Sequence, residues 1–128
     1  MAAGKKYKLD RTMATRAHGT TVYRIRALRD FGDVELGTGV KKGDRGGYIQ
    51  KHANLSHSGK AWIFDNAKVF GDAKVSGNAV VTGAAQVYGD ARVLGKVLDN
   101  ARVNGNASVF GTAWVSGTTK VTGRMMVK

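Results

Sequence analysis

Three histidines are the residues of this sequence best suited to acid–base chemistry, and two of them lie close together. His52 and His57 are five positions apart, beside Lys51 and Ser56, whereas His18 stands alone. A neutral imidazole is the commonest general base in enzymes because its pKa lies near physiological pH. If the protein is an enzyme, the sequence predicts His57 or His52 as its base. The simpler interpretation, which we favour, is that both are ordinary surface or cap residues.

Other catalytic and metal-binding patterns are missing from the sequence. There is no cysteine, which excludes thiolate nucleophiles, disulfides and cysteine metal sites. No phosphate-binding glycine loop, nucleophile elbow or histidine set with metal-ligand spacing occurs. We therefore expect no metal and no cofactor, and we favour binding over catalysis.

The charge of the chain points to an anionic partner. The formal net charge is +12, and most of the excess lies in residues 1–60. Such a balance is typical of proteins that bind nucleotides, nucleic acids or acidic protein surfaces, although solubility alone would also explain it. No apolar run approaches the length of a membrane span, and the first ten residues lack the apolar core of a secretory signal. We expect a cytoplasmic protein without a membrane partner.

From Ala61 onward the sequence repeats every six residues. Typical units, "AKVSGN" (73–78) and "AQVYGD" (85–90), start with Ala, carry Val third and place Gly fifth. The first four positions suit a short strand whose first and third side chains share a face, and the last two suit a corner. In a meander of hairpins, the Ala and Val face would flip with every strand. A coil with three units per triangular turn keeps every Ala and Val inside.

The spacing of the repeat also resembles a known family. An aliphatic residue is followed four positions later by a small one, as from Val69 to Ala73 and from Val75 to Ala79, which resembles the hexapeptide-repeat superfamily. The resemblance covers about residues 53–128 and implies a left-handed parallel β-helix. The segment "GDRGGYIQKHANLSHSGKAWIFDNAKV" (43–69) is similar to the start of phage and bacterial proteins of this type, which are often labelled acyltransferases by fold analogy.

We therefore predict an all-β protein in two parts. Residues 1–50 form a small N-terminal β cap and a first imperfect coil. Residues 51–128 form the hexapeptide-repeat β-helix, a triangular solenoid of about four to five coils.

Taking every third unit as one face predicts which side chains lie together outside. The second face carries a ladder of positive charge beside two aromatic rings, a combination that binds phosphates and bases. We predict anion binding by Lys68, Arg102 and Lys120, with stacking on Phe70 and Tyr88. The alternative is an ordinary solvated strand face.

The first face is too apolar for free solvent and indicates an interface. Proteins that this chain resembles are commonly trimers, so the resemblance implies a homo-oligomer. The alternative is that the N-terminal segment folds back over this face. The predicted interface residues are Trp62, Phe64, Val80, Leu98 and Trp114.

The end of the repeat suggests a second mode of association. The last unit, "MMVK" (125–128), places Met125 and Val127 at inward positions with no cap after them. Because an open coil end exposes unpaired strand edges, an end-to-end dimer through these residues is also predicted.

Two irregularities interrupt the rhythm of six. Gly59-Lys60 is a two-residue insertion, and the unit "VLDN" (97–100) lacks two residues, which predicts one shortened wall. Counting in threes places both at the corner where the third face meets the first, a place where functional loops occur in solenoids. Neutral drift is the alternative. Lys60 and Lys96 are expected along this edge, near Lys74 and Arg92 of the third face, and all four are predicted to belong to the anion-binding surface.

Three functions remain open from the sequence. The first, which we favour, is a non-catalytic binding protein of phage origin that engages an anionic ligand or a host macromolecule, and so inhibits a host defence. The second, implied by the resemblance, is an acyltransferase that binds coenzyme A in a cleft between subunits near His52 or His57. The third is a self-assembling rod. Binding is favoured over acyl transfer because the regular repeat carries no histidine.

Overall fold

Strands joined by turns make up the described part of the chain. The computed structural model describes residues 5–31, 39–57, 59–111 and 113–127. Three longer strands come first, β1 (Tyr7–Ala17), β2 (Thr20–Ala27) and β3 (Arg45–Ile49), followed by a 3₁₀ turn at His52–Asn54. Strands of two residues follow, namely β4 (Trp62–Ile63), β5 (Lys68–Val69), β6 (Lys74–Val75), β7 (Val80–Val81), β8 (Gln86–Val87), β9 (Arg92–Val93), β10 (Lys96–Val97), β11 (Arg102–Val103), β12 (Ser108–Val109), β13 (Trp114–Val115), β14 (Lys120–Val121) and β15 (Met126–Val127).

Three sheets form the sides of the coil, and the strands of the coil pair in parallel within each sheet. The first sheet contains β4, β7, β10 and β13, and the third contains β6, β9, β12 and β15. The second sheet has the order β1-β2-β3-β5-β8-β11-β14. Each short strand therefore pairs with the strand three units away, and valine pairs with valine, as in Val87↔Val103 and Val93↔Val109. The predicted all-β parallel solenoid is confirmed.

The interior consists of the alanines and the β-branched residues of the repeat. Ala73, Val75, Ala91 and Val93 are fully buried, as are their counterparts from Ala61 to Val109, whereas the last coil is less covered. Burial of one valine side chain contributes about 1.5–3 kcal/mol, so the stability of such a stack accumulates coil by coil.

Most corners contain a glycine at positive φ, such as Gly105 at 66°. Two corners use aspartate instead, with Asp65 at 56° and Asp99 at 60°. Their carboxylates accept the backbone N–H groups of Gly83 and Gly117 in the following coil, at 3.2 and 3.0 Å. Aspartate tolerates a positive φ better than most residues. Together with these hydrogen bonds, this lets the two corners form without a glycine.

The short unit at residues 97–100 removes a corner and leaves the wall intact, so the expected shortened wall is wrong. Strand β9 is followed by β10 without the usual two-residue turn, and Lys96 pairs in register with Val80 and Trp114. Gly95 takes the first position of the new strand, where alanine stands in other units. A Cβ there would lie 2.6 Å from the carbonyl oxygen of Ala113, so the position has room only for glycine.

The insertion lies at the same corner of the coil, between the third and first sheets. Leu55 forms a parallel bridge with Val75, and Ala61 precedes β4. Gly59 has a φ of 75°, and the N–H of Lys60 donates to the carbonyl of Gly77 at 3.0 Å. The extra residues thus widen a turn while the next strand stays paired.

The hairpin formed by β1 and β2 adds two strands to the second sheet, at the edge next to β3. Strand β2 pairs antiparallel with β3, and β3 pairs parallel with β5. The turn at His18-Gly19 lies beyond the end of β3 and reaches the outer side of β8. None of the helical segments in the described ranges is long and apolar enough to cross a membrane.

Candidate anion-binding surface

The outward side chains of the second sheet line up in register. Lys68, Gln86, Arg102 and Lys120 follow one another on β5, β8, β11 and β14. Neighbouring rungs of a sheet lie about 4.8 Å apart, so the three cations form a ladder. The structure thus brings together the predicted basic residues of this face.

The hairpin extends the ladder with cations that the sequence analysis missed. Arg26 pairs with Lys8 on β1 and with Arg45 on β3, while Arg24 pairs with Tyr48, the neighbour of Lys68. Six steps between seven strands give a length of roughly 29 Å. We call the following set the basic stripe: Lys8, Arg24, Arg26, Arg45, Lys68, Arg102 and Lys120.

Two arginines of the basic stripe are held by the protein itself. The Arg24 guanidinium donates to the Gly46 carbonyl at 2.7 Å and to the Tyr48 hydroxyl at 2.7 Å, and lies 4.3 Å from the Tyr48 ring. Arg26 forms an ion pair with Asp10 at 2.9 Å. Hydrogen bonds from Thr12 and Arg26 lower the pKa of Asp10 to about 2. These arginines therefore shape the surface more than they offer charge to a ligand.

Other cations of the basic stripe remain available. Lys8, Arg45, Arg102 and Lys120 are exposed, and no carboxylate among the described residues forms an ion pair with any of them. Lys68 is half-buried, with its Nζ 5.5 Å from the Tyr48 ring. The uncompensated charge therefore lies on β1 and β3 at one end of the basic stripe, and on β11 and β14 at the other.

The predicted stacking residues lie beside the ladder, but the hairpin covers them. The rings of Phe70 and Tyr88 are parallel, with centroids 5.0 Å apart and an interplanar angle of 5°. Phe70 is buried against Ala17 and Val22 of the hairpin. The His18 ring stacks on both aromatic rings, and Tyr88 is half-buried.

Of the two basic residues expected along one corner edge, Lys60 lies there and Lys96 does not, which corrects the prediction for Lys96. Lys96 lies within a strand of the first sheet, because the deletion removed its corner, and its Nζ is 4.6 Å from the Trp114 ring. Lys60 lies at the corner itself and is exposed. Lys74 and Arg92 are neighbours on the third sheet.

The third-sheet cations share a groove with carboxylates. The groove has a volume of about 370 Å³ and is lined by Lys74, Arg92, Asp72 and Asp90, among others. Lys51 forms an ion pair with Asp72 at 2.9 Å. Because opposite charges alternate there, this surface is less suited to a polyanion than the basic stripe.

The apolar first face is divided between the chain's own N-terminal segment and solvent. Trp62 is 1% exposed and lies edge-on to Phe31 and Tyr7, and Val80 is also buried. The expectation that these two residues meet a partner is therefore wrong, because the N-terminal segment folds over Trp62. Trp114 is 62% exposed. Phe64 and Leu98 are intermediate.

At the C-terminal end of the coil, the two residues predicted to point inward, Met125 and Val127, differ in their exposure to solvent. Val127 pairs with Val109 and packs partly against the core, whereas Met125 is 55% exposed. Met125 is exposed because the described residues include no further coil to cover it, and its inward direction stays a prediction.

The histidine pair is built into the junction between the N-terminal segment and the first coil. The backbone N–H of Lys6 donates to Nδ1 of His57 at 3.1 Å. Nε2 of His57 therefore carries the proton in the neutral ring and donates to Nδ1 of His52 at 3.3 Å. Tyr7 stacks on His57 with centroids 4.1 Å apart. Both acceptor nitrogens are occupied, so neither ring is free to act as a general base in this arrangement.

The surroundings of the pair disfavour its protonation. Burial, followed by nearby positive charge, lowers the pKa of both His57 and His52 below the ordinary value of 6.5. The cations that act on one or both rings are Lys5, Lys6, Arg11 and Arg29. Within the described parts of the chain, no three metal-ligating side chains lie together.

The lowered pKa values predict a stability that depends on pH. The unfolded chain takes up protons near pH 6.5 while the folded protein does not, so the free energy of unfolding should fall as the pH drops below 6.5. Urea titrations between pH 7.5 and 5 measure this, a range well above the pKa of Asp10. The double variant His52→Asn/His57→Asn should show a flatter dependence of the unfolding free energy on pH. An unchanged slope would contradict the lowered pKa values of these two histidines.

Comparison with known proteins agrees with the architecture. Residues 85–99 match the model of the YdcK beta solenoid repeat family. A search of curated proteins finds no match to the chain. The matched residues run from Ala85, just before β8, through β9 and β10, to Asp99 at the following corner. The strand topology shows a parallel β-solenoid, and this segment is similar to a β-solenoid repeat.

Proposed function

We propose that the protein is a non-catalytic binding protein that engages nucleic acid along the basic stripe. The observation that carries this proposal is the register of the second sheet, which aligns cations from six of its seven strands on one rigid face. Cations that meet phosphates release condensed counterions, which supplies most of the affinity for a polyanion. The resemblance to phage proteins supports a role in the host cytoplasm, directed at a host defence.

The basic stripe has the length and the exposed cations that such binding needs. Its length of roughly 29 Å spans several nucleotides of an extended strand, because each rung adds about 4.8 Å. The outer cations are exposed, whereas Arg24 and Arg26 are fixed by contacts within the sheet. A sheet that presents exposed lysine and arginine side chains can bring their charges to the phosphates without deforming the fold.

Salt dependence of binding tests the proposal. We expect a labelled oligonucleotide to bind at 50 mM salt, with an affinity that falls linearly on a log–log plot against salt. Arg102→Ala and Lys120→Ala should each reduce the magnitude of the slope by about one. Lys74→Ala and Arg92→Ala, on the third sheet beside carboxylates, are the matched controls and should change it little. Absence of binding at low salt would overturn the proposal.

The hexapeptide-repeat resemblance supports two finer proposals. The first is that the coil is left-handed. The second is the alternative function, acyl transfer from coenzyme A, for which the neutral His52–His57 pair is the supporting observation. It requires the Lys6 segment to move so that His57 regains a free acceptor nitrogen. A rise in melting temperature with acetyl-coenzyme A, lost in His57→Asn, would favour it.

We also propose that copies of the chain associate. Trp114 is the supporting observation, because a tryptophan that is 62% exposed is typical of an interface. A trimer around the first sheet would cover it, whereas an end-to-end dimer or a self-assembling rod would use Met125 and Val127. The mass in solution of Trp114→Ala and of Met125→Lys distinguishes these arrangements.

A further inference from the structure

The centre of the basic stripe holds a stack of three rings, one of which comes from the hairpin. Phe70 and Tyr88 lie parallel, and the His18 ring lies 4.9 Å from Tyr88 at an interplanar angle of 29°. Nε2 of His18 is 2.9 Å from Oε1 of Gln86, the uncharged rung between Lys68 and Arg102. A planar nitrogen heterocycle of the protein thus occupies an aromatic platform flanked by cations.

The hairpin turn itself gives little reason for a histidine at this position. His18 and Gly19 have φ values of 49° and 79°, the geometry of a two-residue turn with both central residues left-handed. Asn-Gly is the preferred sequence for such turns, because asparagine tolerates this conformation better than larger residues. The ring contact with Tyr88 and Gln86 is therefore the feature that distinguishes His18 from an ordinary turn residue.

The His18 ring can leave the platform without unfolding the hairpin. Ala17 and Val22 on either side of the turn are buried against Phe70, and Arg16 donates to the Gly19 carbonyl at 2.7 Å. His18 itself is exposed and is held by ring contacts and one hydrogen bond. Rotation of its side chain would uncover the face of Tyr88 while the anchored residues stay in place.

We propose that Tyr88 and Gln86 form a subsite for one unpaired base of a single-stranded nucleic acid, and that His18 occupies it in the free protein. This inference rests on the proposed function. The incoming base replaces the imidazole on Tyr88 and hydrogen-bonds through its edge to the Gln86 amide. The flanking phosphates lie against Lys68 and Arg102. A duplex does not fit this subsite, because its bases are stacked and paired.

His18→Asn is the variant that tests the proposal, because asparagine keeps the turn and removes the competing ring. We expect it to bind an oligothymidylate about three- to tenfold more tightly than the unmodified protein, as loss of a ring contact implies. Binding of an abasic oligonucleotide of equal length, which offers phosphates alone, should stay unchanged. Tyr88→Leu, which keeps apolar bulk, should weaken binding of the oligothymidylate alone. His52→Asn is the same replacement away from the basic stripe and should leave both affinities unchanged.

The outcomes separate this inference from the proposed function. If neither oligonucleotide binds the unmodified protein, the proposed function fails. If both bind, and His18→Asn and Tyr88→Leu bind them as the unmodified protein does, the basic stripe stands and the base subsite is overturned. Weaker binding of the oligothymidylate by His18→Asn would also overturn the inference, because His18 would then be a ligand contact and not a competitor.

Discussion

Replacing Tyr7 by alanine is expected to lower the free energy of unfolding by about 3–5 kcal/mol, as for other large buried aromatic residues. Tyr7 is fully buried, and its hydroxyl lies 2.5 Å from the carbonyl oxygen of Leu55 and 2.9 Å from that of His52. Its ring stacks on His57 and meets the edge of Trp62. Alanine would remove the ring that joins the N-terminal segment to the first coil.

The conservative variant separates the ring from the hydroxyl. Tyr7→Phe keeps the stacking and removes only the hydrogen bond, which should cost about 1–2 kcal/mol. Urea denaturation of the two variants measures the difference, and the fluorescence of Trp62 reports whether the segment has left the first sheet. Equal stability of Tyr7→Ala and Tyr7→Phe would show that the ring does not anchor the segment.

The repeat made the coil predictable because its pattern is local and strict. Most six-residue units carry valine at the third position and glycine at the fifth. Only one arrangement lets all these valines meet, and the register Val87↔Val103 follows from it. The cationic ladder could be derived for the same reason, since the second position of each unit must point outward. Lys68, Arg102 and Lys120 were therefore found without a structure.

The hairpin contribution could not be derived in this way, because it depends on pairing between distant segments. Arg24 and Arg26 join the basic stripe only because β2 pairs with β3 across an irregular register. The alternation in "TTVYRIRA" (20–27) indicated their shared face, but no sequence signal placed that face beside Lys68. The same pairing carries His18 over Tyr88, which converts an open stacking surface into a covered one.

Lys6 shows a second limit of composition-based reasoning. The sequence counts it among the cations available to a ligand, whereas its side chain is buried and its Nζ donates to the carbonyl of Ala61 at 2.6 Å. The Nζ also lies 5.0 Å from the Phe31 ring. Burial, with a smaller effect of Arg29, lowers the pKa of Lys6 to about 8. Net charge therefore overstates the charge that the N-terminal segment offers to a polyanion.

The deletion at residues 97–100 leads to the second large prediction, for Gly95→Ala. Glycine is required there for space, because a Cβ would lie 2.6 Å from the carbonyl oxygen of Ala113 and 3.0 Å from that of Phe110. Both neighbours are backbone atoms of the next coil, which cannot move without disturbing the ladder between β10 and β13. We expect the free energy of unfolding to fall by about 3 kcal/mol, at the upper end for overpacked interiors.

Gly117→Ala is the matched control for this effect. Gly117 has a φ of 64° at an ordinary corner, with no atom within 4 Å of an added Cβ among the described residues. Its replacement should cost only about 1 kcal/mol, the penalty for a left-handed alanine. Urea denaturation of both variants therefore compares the cost of steric overlap at Gly95 with the cost of backbone strain at Gly117. If Gly95→Ala costs no more than Gly117→Ala, Gly95 lies at a corner after all, and Lys96 does not belong to the strand that pairs with Trp114.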